Sequence, residues 1–400
     1  MADKLKVLML GGRRCGKTSA LSTMFGSIIN GVINQYLTLA DETILETKIN
    51  DQGKEEVQDA LGSKSSELKH LLEKGDSATF IVDQNPTGCW WFYTLKLQEP
   101  GTNRDMYIEF SDVPGEFCRK GNKHEQEVKD YIKTCDVFVV AIDTPYMMEA
   151  VNPSNKLCDE GINEQVNRTQ DIQQFLTSIN DDNGNNAKMV IFVPVKCEKW
   201  YNEGNINLVT DRVKEVYNTH IQNLKAYAKM DISILPIMTA GNIEFVEQRE
   251  TFLLSKKVGK PIKCCQQSST MLRLSDGKPY KIKEGDIVNE DPEAVITGTT
   301  LVRPSSWYKL RFTDGKAPYA PKNCEQLPLH IIRFMLAKYN NAVKRRRTGI
   351  IIIDIFIDLM DAILGNFGAD RLGTILNRMK SAGLFNDSEE DGIIHIKNAF

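Results

Sequence analysis

The run KVLMLGGRRCGKTS places a glycine-rich turn, a lysine and a hydroxyl residue directly after a hydrophobic stretch, and Gly11, Gly16, Lys17 and Thr18 satisfy G-x-x-x-x-G-K-[ST]. The chemistry open to that pattern is the cradling of a nucleoside triphosphate. Glycines let the backbone curl with its N–H groups pointing inward, Lys17 reaches the outer phosphates, and Thr18 offers a hydroxyl to Mg²⁺. Gly12, Arg14, Cys15 and Ser19 belong to the same loop and the first helical turn, where backbone groups face an anion. Cys15, at a helix N-terminus beside Lys17, has either a lowered thiol pKa or simply a phosphate-binding backbone.

A second run, DVPGE, supplies a carboxylate. Asp112 ends a strand, where it could hold the water shell of Mg²⁺, and the Gly115 N–H could meet a γ-phosphate. The plain alternative is a Pro-Gly turn capped by Asp112.

These residues need elements to hold them. Lys4 to Leu10 reads as a short buried strand, and Leu21, Met24, Phe25 and Ile28 recur at helical spacing just after the loop. Strand-like runs follow at 78–82, 89–98 and 106–110, the last leading into DVPGE. Apolar runs at 137–142, 189–195 and 232–238 then alternate with helical stretches at 162–179 and 207–229. Such alternation predicts a mostly parallel sheet covered by helices on both faces. Two segments break the rhythm. The charged stretch 39–75 reads as a helical hairpin insertion, and 250–320, with its short strand-like pieces and many turns, as a β-rich insertion.

The bulk composition narrows the function. Four hundred residues with 41% hydrophobic content suit two domains or one with insertions. Lys and Arg total 50 against 53 Asp and Glu, so no global charge drives the chain toward nucleic acid. Nine cysteines lack disulfide-framework or zinc-ribbon spacing, which suits a reducing cytoplasm. No run of 18 apolar residues implies a membrane span, and the N-terminus lacks a secretory apolar region. The histidines, His70, His124, His220, His330 and His395, are scattered along the chain, so Mg²⁺ is the one metal the sequence implies.

In the order of its motifs the chain resembles the Ras-like and translation-factor (TRAFAC) class of P-loop GTPases, including bacterial members with insertions, over about residues 4–343. The resemblance implies a three-layer α/β P-loop NTPase fold, a Ras-like G domain, with GTP or GDP and Mg²⁺ as cofactors. It also implies roles for further residues. Lys196 and Glu198, after the strand MVIFVPV, stand where the family carries N-K-x-D, with Lys196 along the base and Glu198 accepting from guanine N1 and N2. Val195 replaces the usual Asn, and Glu is longer than Asp. Thr239, Ala240 and Gly241 resemble the S-A-K loop, whose backbone N–H at Ala240 would meet guanine O6. Glu116 holds the place of the Gln that orients the attacking water, and Arg13 the place of a small residue beside the γ-phosphate. Arg13 then either stabilises transferred charge, crowds out a partner's arginine, or points to solvent. Thr87, with Thr79 as competitor, matches the Mg²⁺-sensing threonine of the first switch.

Residues 344–400 read as a docking or regulatory segment. A basic knot, Lys344 to Arg347, precedes GIIIIDIFIDLMDAIL, an apolar helix with Asp354, Asp358 and Asp361 on one stripe. That pattern suits burial against the protein's own body or a protein partner better than a bilayer. The acidic DSEED then leads to a strand-like GIIHIKNAF. The leading reading is a regulatory GTPase of low intrinsic rate, with Lys17, Glu116 and Arg13 as its catalytic candidates. An ATP-driven P-loop enzyme and a nucleotide-binding scaffold with little turnover are the alternatives.

Overall fold

A computed structural model describes residues 4–12, 15–29, 38–49, 90–98, 105–149, 160–181, 187–239, 320–346 and 377–399, with shorter strand segments between 55 and 82 and between 241 and 312. In chain order the strands of the first half are β1 (Lys4–Leu10), β2 (Thr38–Ile49), β3 (Glu55–Val57), β4 (Ala78–Val82), β5 (Trp90–Gln98), β6 (Asp105–Asp112) and β7 (Val137–Asp143). They are followed by β8 (Lys188–Val195), β9 (Met230–Ile234), β10 (Ile243–Glu250), β11 (Phe252–Ser255), β12 (Pro261–Lys263) and β13 (Met271–Leu274). The last are β14 (Pro279–Lys281), β15 (Ile287–Asn289), β16 (Ile296–Thr297), β17 (Thr300–Leu301), β18 (Ser306–Phe312) and β19 (Ile394–Lys397).

The chain divides into two compact units. The larger, residues 1–72, 86–241 and 319–400, is built on a nine-stranded sheet ordered β19-β9-β8-β7-β1-β6-β5-β2-β3. Its centre is parallel: β1 pairs with both β6 and β7, β7 with β8, and β8 with β9. Strands buried on both faces are continuously apolar, which is why VFVVAID and KMVIFVPV show no alternation. β1 shows the division most clearly. Val7 and Met9 face one core with Leu21 and Met24 of the helix Lys17–Ile29 and Leu327, Ile331 and Met335 of the helix Gln326–Arg346. Leu8 and Leu10 face the other core with Val128, Ile132, Phe175, Val213 and Ile221. The result is a three-layer α/β fold of P-loop type, with a mostly parallel sheet and a C-terminal extension that includes helix.

The second unit, residues 73–85 and 242–318, is all strand among its described residues. β10, β18 and β4 form one antiparallel sheet, β14-β13-β12-β11-β15 another, and β16 and β17 a hairpin. Its strands thus come from the β-rich region and, through β4, from the first half of the chain.

One sequence expectation is overturned. The helical hairpin expected over 39–75 is strand wherever it is described: β2 pairs antiparallel with β5, and β3 with β2. Charge misled the reading here. Asp41, Glu42, Glu46 and Lys48 suit a helix, but Ile44, Thr47 and Ile49 are β-branched and gain backbone partners along Trp90–Leu95. The rest of that segment lies outside the described residues. A second change is smaller. The helix expected at 327–343 runs to Arg346 and absorbs most of the basic knot.

The C-terminal stretch folds into the larger unit. β19 pairs antiparallel with β9 at the sheet edge, and Ile393, 1% exposed, sits in the core beneath the helix Gln326–Arg346. Lys322 pairs with Asp391 at 2.6 Å, and Tyr201 Oη donates to the Asp391 carbonyl at 2.8 Å. The apolar helix expected at 349–364 lies outside the described residues. Among those described, no helix is long and apolar enough to cross a membrane. Truncating Ile393 to Ala should cost about 2–5 kcal/mol, the usual range for a buried Ile. Urea unfolding checks this, and an unchanged midpoint would show that the C-terminal stretch does not share the core.

Candidate functional site

The site is built at the carboxyl ends of β1, β6, β7 and β8, the edge where parallel α/β sheets bind ligands. The loop 11–16 leaves β1 and enters the helix Lys17–Ile29, whose first turn carries no acidic residue. Nothing there competes with an incoming anion for the positive end of the helix. Gly16 has φ +98°, a left-handed conformation that side chains rarely adopt. Gly12 is constrained by space instead: a Cβ there would stand 1.6 Å from the Val166 carbonyl oxygen. The end of the helix Glu160–Asn167 therefore rests directly on the loop.

Lys17 is buried and its Nζ donates to the carbonyls of Gly11 and Gly12, both at 3.0 Å. Burial pulls its pKa down, but the surrounding Cys15, Asp112, Cys118 and Glu116 outweigh that and leave it above its ordinary value. The ammonium stays charged, ready for phosphate. Cys15 goes the other way from an activated thiol. Burial, stronger than the opposing pull of Lys17, raises its pKa, so only its backbone role stands. Cys118 is likewise pushed up by burial to about 12.

Thr18 and Asp112 meet across the β1–β6 pair, with Thr18 Oγ1 donating to Asp112 Oδ2 at 2.7 Å. Register explains the meeting: Met9 lies opposite Asp112, so the loop leaving β1 and the carboxylate ending β6 emerge at one level. A hydroxyl and a carboxylate this close are hard oxygen donors of the kind Mg²⁺ takes, alongside water and phosphate oxygens. Gly115 is buried in the turn after Asp112, and Glu116 is half-buried, near enough to act on the Lys17 charge.

The next two strands bring two further groups. Lys196, following β8, adopts φ +61°, a strained conformation for a residue with a side chain. That kink sends its stem toward the loop, where its Cε lies 3.6 Å from the position a Gly16 Cβ would take. Its Nζ pairs with Asp143, which ends β7 and is fully buried. Glu198 opens the short helix Glu198–Asn202, and its Oε1 accepts from the Thr239 backbone N–H at 3.0 Å and from Thr239 Oγ1 at 3.1 Å. The structure thus joins Gly11, Gly12, Cys15, Gly16, Lys17 and Thr18 to Asp112 and to Lys196, and Glu198 to Thr239. Arg13, Arg14, Thr87 and Ala240 lie outside the described residues.

Sequence reading missed Asp143 and its support. Asn167 Oδ1 accepts from the Asp143 N–H at 2.7 Å, while Asn167 Nδ2 donates to the Asp143 carbonyl and to Asn163 Oδ1. The available signal was an acid closing the apolar strand VFVVAID at the ligand-binding edge, followed by Asn163 and Asn167 four apart on a helix.

Comparison with protein-family models and with curated proteins finds no match. Among solved structures, the cytosolic domain of the T. maritima FeoB iron transporter in its GMPPNP form is 13% identical, with a TM-score of 0.23. That match covers 59% of this chain and 57% of the FeoB domain, so the chain spans little more than half of its length. The GTPase-like domain of S. cerevisiae Ski7, bound to GTP, is 9% identical over 78% of this chain and 71% of that one, with a TM-score of 0.31. The same domain with GDP and inorganic phosphate gives 10%, 79%, 72% and 0.32. The description of the fold as P-loop-type rests on the chain's own strand order and loop.

Asp143→Ala should lower stability by about 1–3 kcal/mol, because it removes a buried charge-assisted hydrogen bond while Lys196 can still turn to water. Denaturant titration reads the loss. Stability equal to wild type would show that the pair holds nothing in place.

Proposed function

We propose that the protein binds GTP and GDP with Mg²⁺, hydrolyses GTP slowly, and changes its partner contacts with nucleotide state. The observation that carries the reading is the Thr18–Asp112 contact beside buried, charged Lys17. Two motifs 94 residues apart converge on one phosphate loop in the way Mg²⁺-dependent phosphoryl chemistry requires. Thr18 and Asp112 would hold the metal, which supplies neutralisation of charge on the β- and γ-oxygens. Lys17 would exchange its loop carbonyls for phosphate oxygens.

Preference for guanine rests on Glu198. Thr239 anchors one carboxylate oxygen through two donors, so the group is held in orientation for a base presenting paired N–H donors. Adenine offers a mismatched edge, and leaving buried polar groups unpaired is strongly discriminating. In hydrolysis, water attacks the γ-phosphorus and the bond to the bridging oxygen breaks, giving GDP and inorganic phosphate. Glu116 would accept a hydrogen bond from that water but cannot donate one as an amide does. The turnover proposed is therefore slow, and the proposed partner contact is the 349–364 segment.

Lys17→Ala should abolish Mg²⁺-dependent binding of a fluorescent guanine nucleotide while the circular dichroism spectrum is unchanged. A folded variant with wild-type affinity would refute the phosphate-loop role. Glu198→Ala should narrow the GTP-over-ATP preference by about tenfold or more in competition assays. A preference untouched by the substitution would favour the ATP-using alternative. Unassisted single-turnover hydrolysis should fall at about 10⁻⁴ to 10⁻² s⁻¹. Turnover of tens per second without a partner would contradict a switch.

A further inference from the structure

Asp143 ends β7 at the ligand-binding edge and is fully buried. Withdrawing a carboxylate from water is costly, and it is tolerated where the charge is paired and hydrogen-bonded. Lys196 supplies the pairing. Its ammonium turns inward to Asp143 Oδ2, although the side chain is 29% exposed and a surface lysine ordinarily extends its charge into water. The Tyr146 N–H stands 3.5 Å from the other carboxylate oxygen.

The backbone on either side leaves this pair little freedom. Val195 lies opposite Asp143 in the β7–β8 register, and the Cys197 N–H donates to the Ile237 carbonyl at 3.3 Å, so Lys196 sits between two anchored neighbours. Thr144 Oγ1 and Cys197 Sγ, one residue on from each member of the pair, meet at 3.3 Å. The left-handed φ of Lys196 is of the kind that persists where the surroundings over-determine it. Asp143 is fixed in turn through its main chain. Asn167 accepts from its N–H at 2.7 Å and donates to its carbonyl at 3.2 Å, and Asn167 also donates to Asn163 Oδ1 at 2.8 Å. Val166, next to Asn167, is the residue whose carbonyl abuts Gly12. One helix end therefore braces the phosphate loop and, by way of Asp143, the lysine that crosses it.

We propose that Asp143 is a positioning residue for the nucleoside half of the nucleotide site, holding Lys196 so that its stem forms a shelf beside the phosphate loop. The proposal rests on the nucleotide-binding reading of that loop. The Lys196 Cε and the Val195 Cγ2 lie 3.6 Å and 3.2 Å from the position a Gly16 Cβ would take, so β8 borders the loop with methylene and methyl groups. With its ammonium neutralised by Asp143, Lys196 offers a ligand its apolar stem, which suits a planar base or a ribose better than a phosphate. Lys17, buried and charged, serves the phosphate end. Without the Asp143 carboxylate the Lys196 ammonium turns to water and draws the stem off the loop.

The test is a double-mutant cycle on the full chain, with release of a fluorescent GDP and calorimetric binding of inorganic pyrophosphate, both with Mg²⁺, as readouts. Asp143→Asn should speed GDP release by about tenfold and leave pyrophosphate affinity within about twofold of wild type. In a Lys196→Met background the same substitution should change GDP release by no more than about twofold, because no ammonium is left to hold. Should Asp143→Asn fail to fold, Asp143→Ala takes its place in the cycle. Unchanged GDP release in the single variant, equal acceleration in both backgrounds, or pyrophosphate weakened as much as GDP would overturn the positioning role and leave nucleotide binding standing. A wild-type chain that binds neither GDP nor pyrophosphate would overturn both.

Discussion

Parallel pairing of β1 with both β6 and β7 decides where the charged groups of the site can stand. β7 is buried along its whole length and β1 and β6 are buried at their carboxyl ends, where the charged groups of the site emerge. The registers then align those ends. Met9 lies opposite Asp112, Leu10 opposite Val140, and Asp143 opposite Val195, which puts the loop, both aspartates and Lys196 along one edge. The Thr18–Asp112 and Lys196–Asp143 contacts are consequences of that alignment.

The same edge shows how a loop of fixed shape is held. Gly12 abuts the Val166 carbonyl, Lys196 crosses Gly16, and Lys17 is drawn onto the loop's own carbonyls. These contacts come from three different parts of the chain. A phosphate cradle needs its N–H groups aimed before the ligand arrives, and packing from outside is what fixes them.

Motifs with strict chemistry were legible in the sequence. Gly16 and Lys17 could be placed because few residue types tolerate a positive φ or reach phosphate, and Asp112 because it opens a D-x-x-G run that follows the phosphate loop. Glu198 and Thr239 were each read as part of a separate loop, and their hydrogen bonding to each other was not foreseen. Asp143 and its asparagine support escaped because a lone acid after an apolar run carries no spacing. The strands β2 and β3 were misread because charge density outweighed β-branching in a segment whose partner strand, β5, lies far along the chain. The meeting of His330 with His395, sixty-five positions apart, depends on β19 adding to the sheet edge and could not be seen along the chain.

The C-terminal stretch is part of the architecture, and it touches the short helix Glu198–Asn202 through Tyr201. Asn323 Nδ2 donates to Tyr201 Oη at 2.7 Å, and Tyr201 in turn reaches the Asp391 carbonyl. The proposed function rests on a phosphate loop that takes a nucleoside triphosphate and on Glu198 selecting guanine. Calorimetric titration of the wild-type chain with GTP, GDP and ATP, each with Mg²⁺ and again with a chelator, tests that most directly. The account predicts tight binding of both guanine nucleotides, weakened GTP binding on removal of Mg²⁺, and much weaker ATP binding. Equal affinity for ATP and GTP, or no heat from any of them, would contradict it.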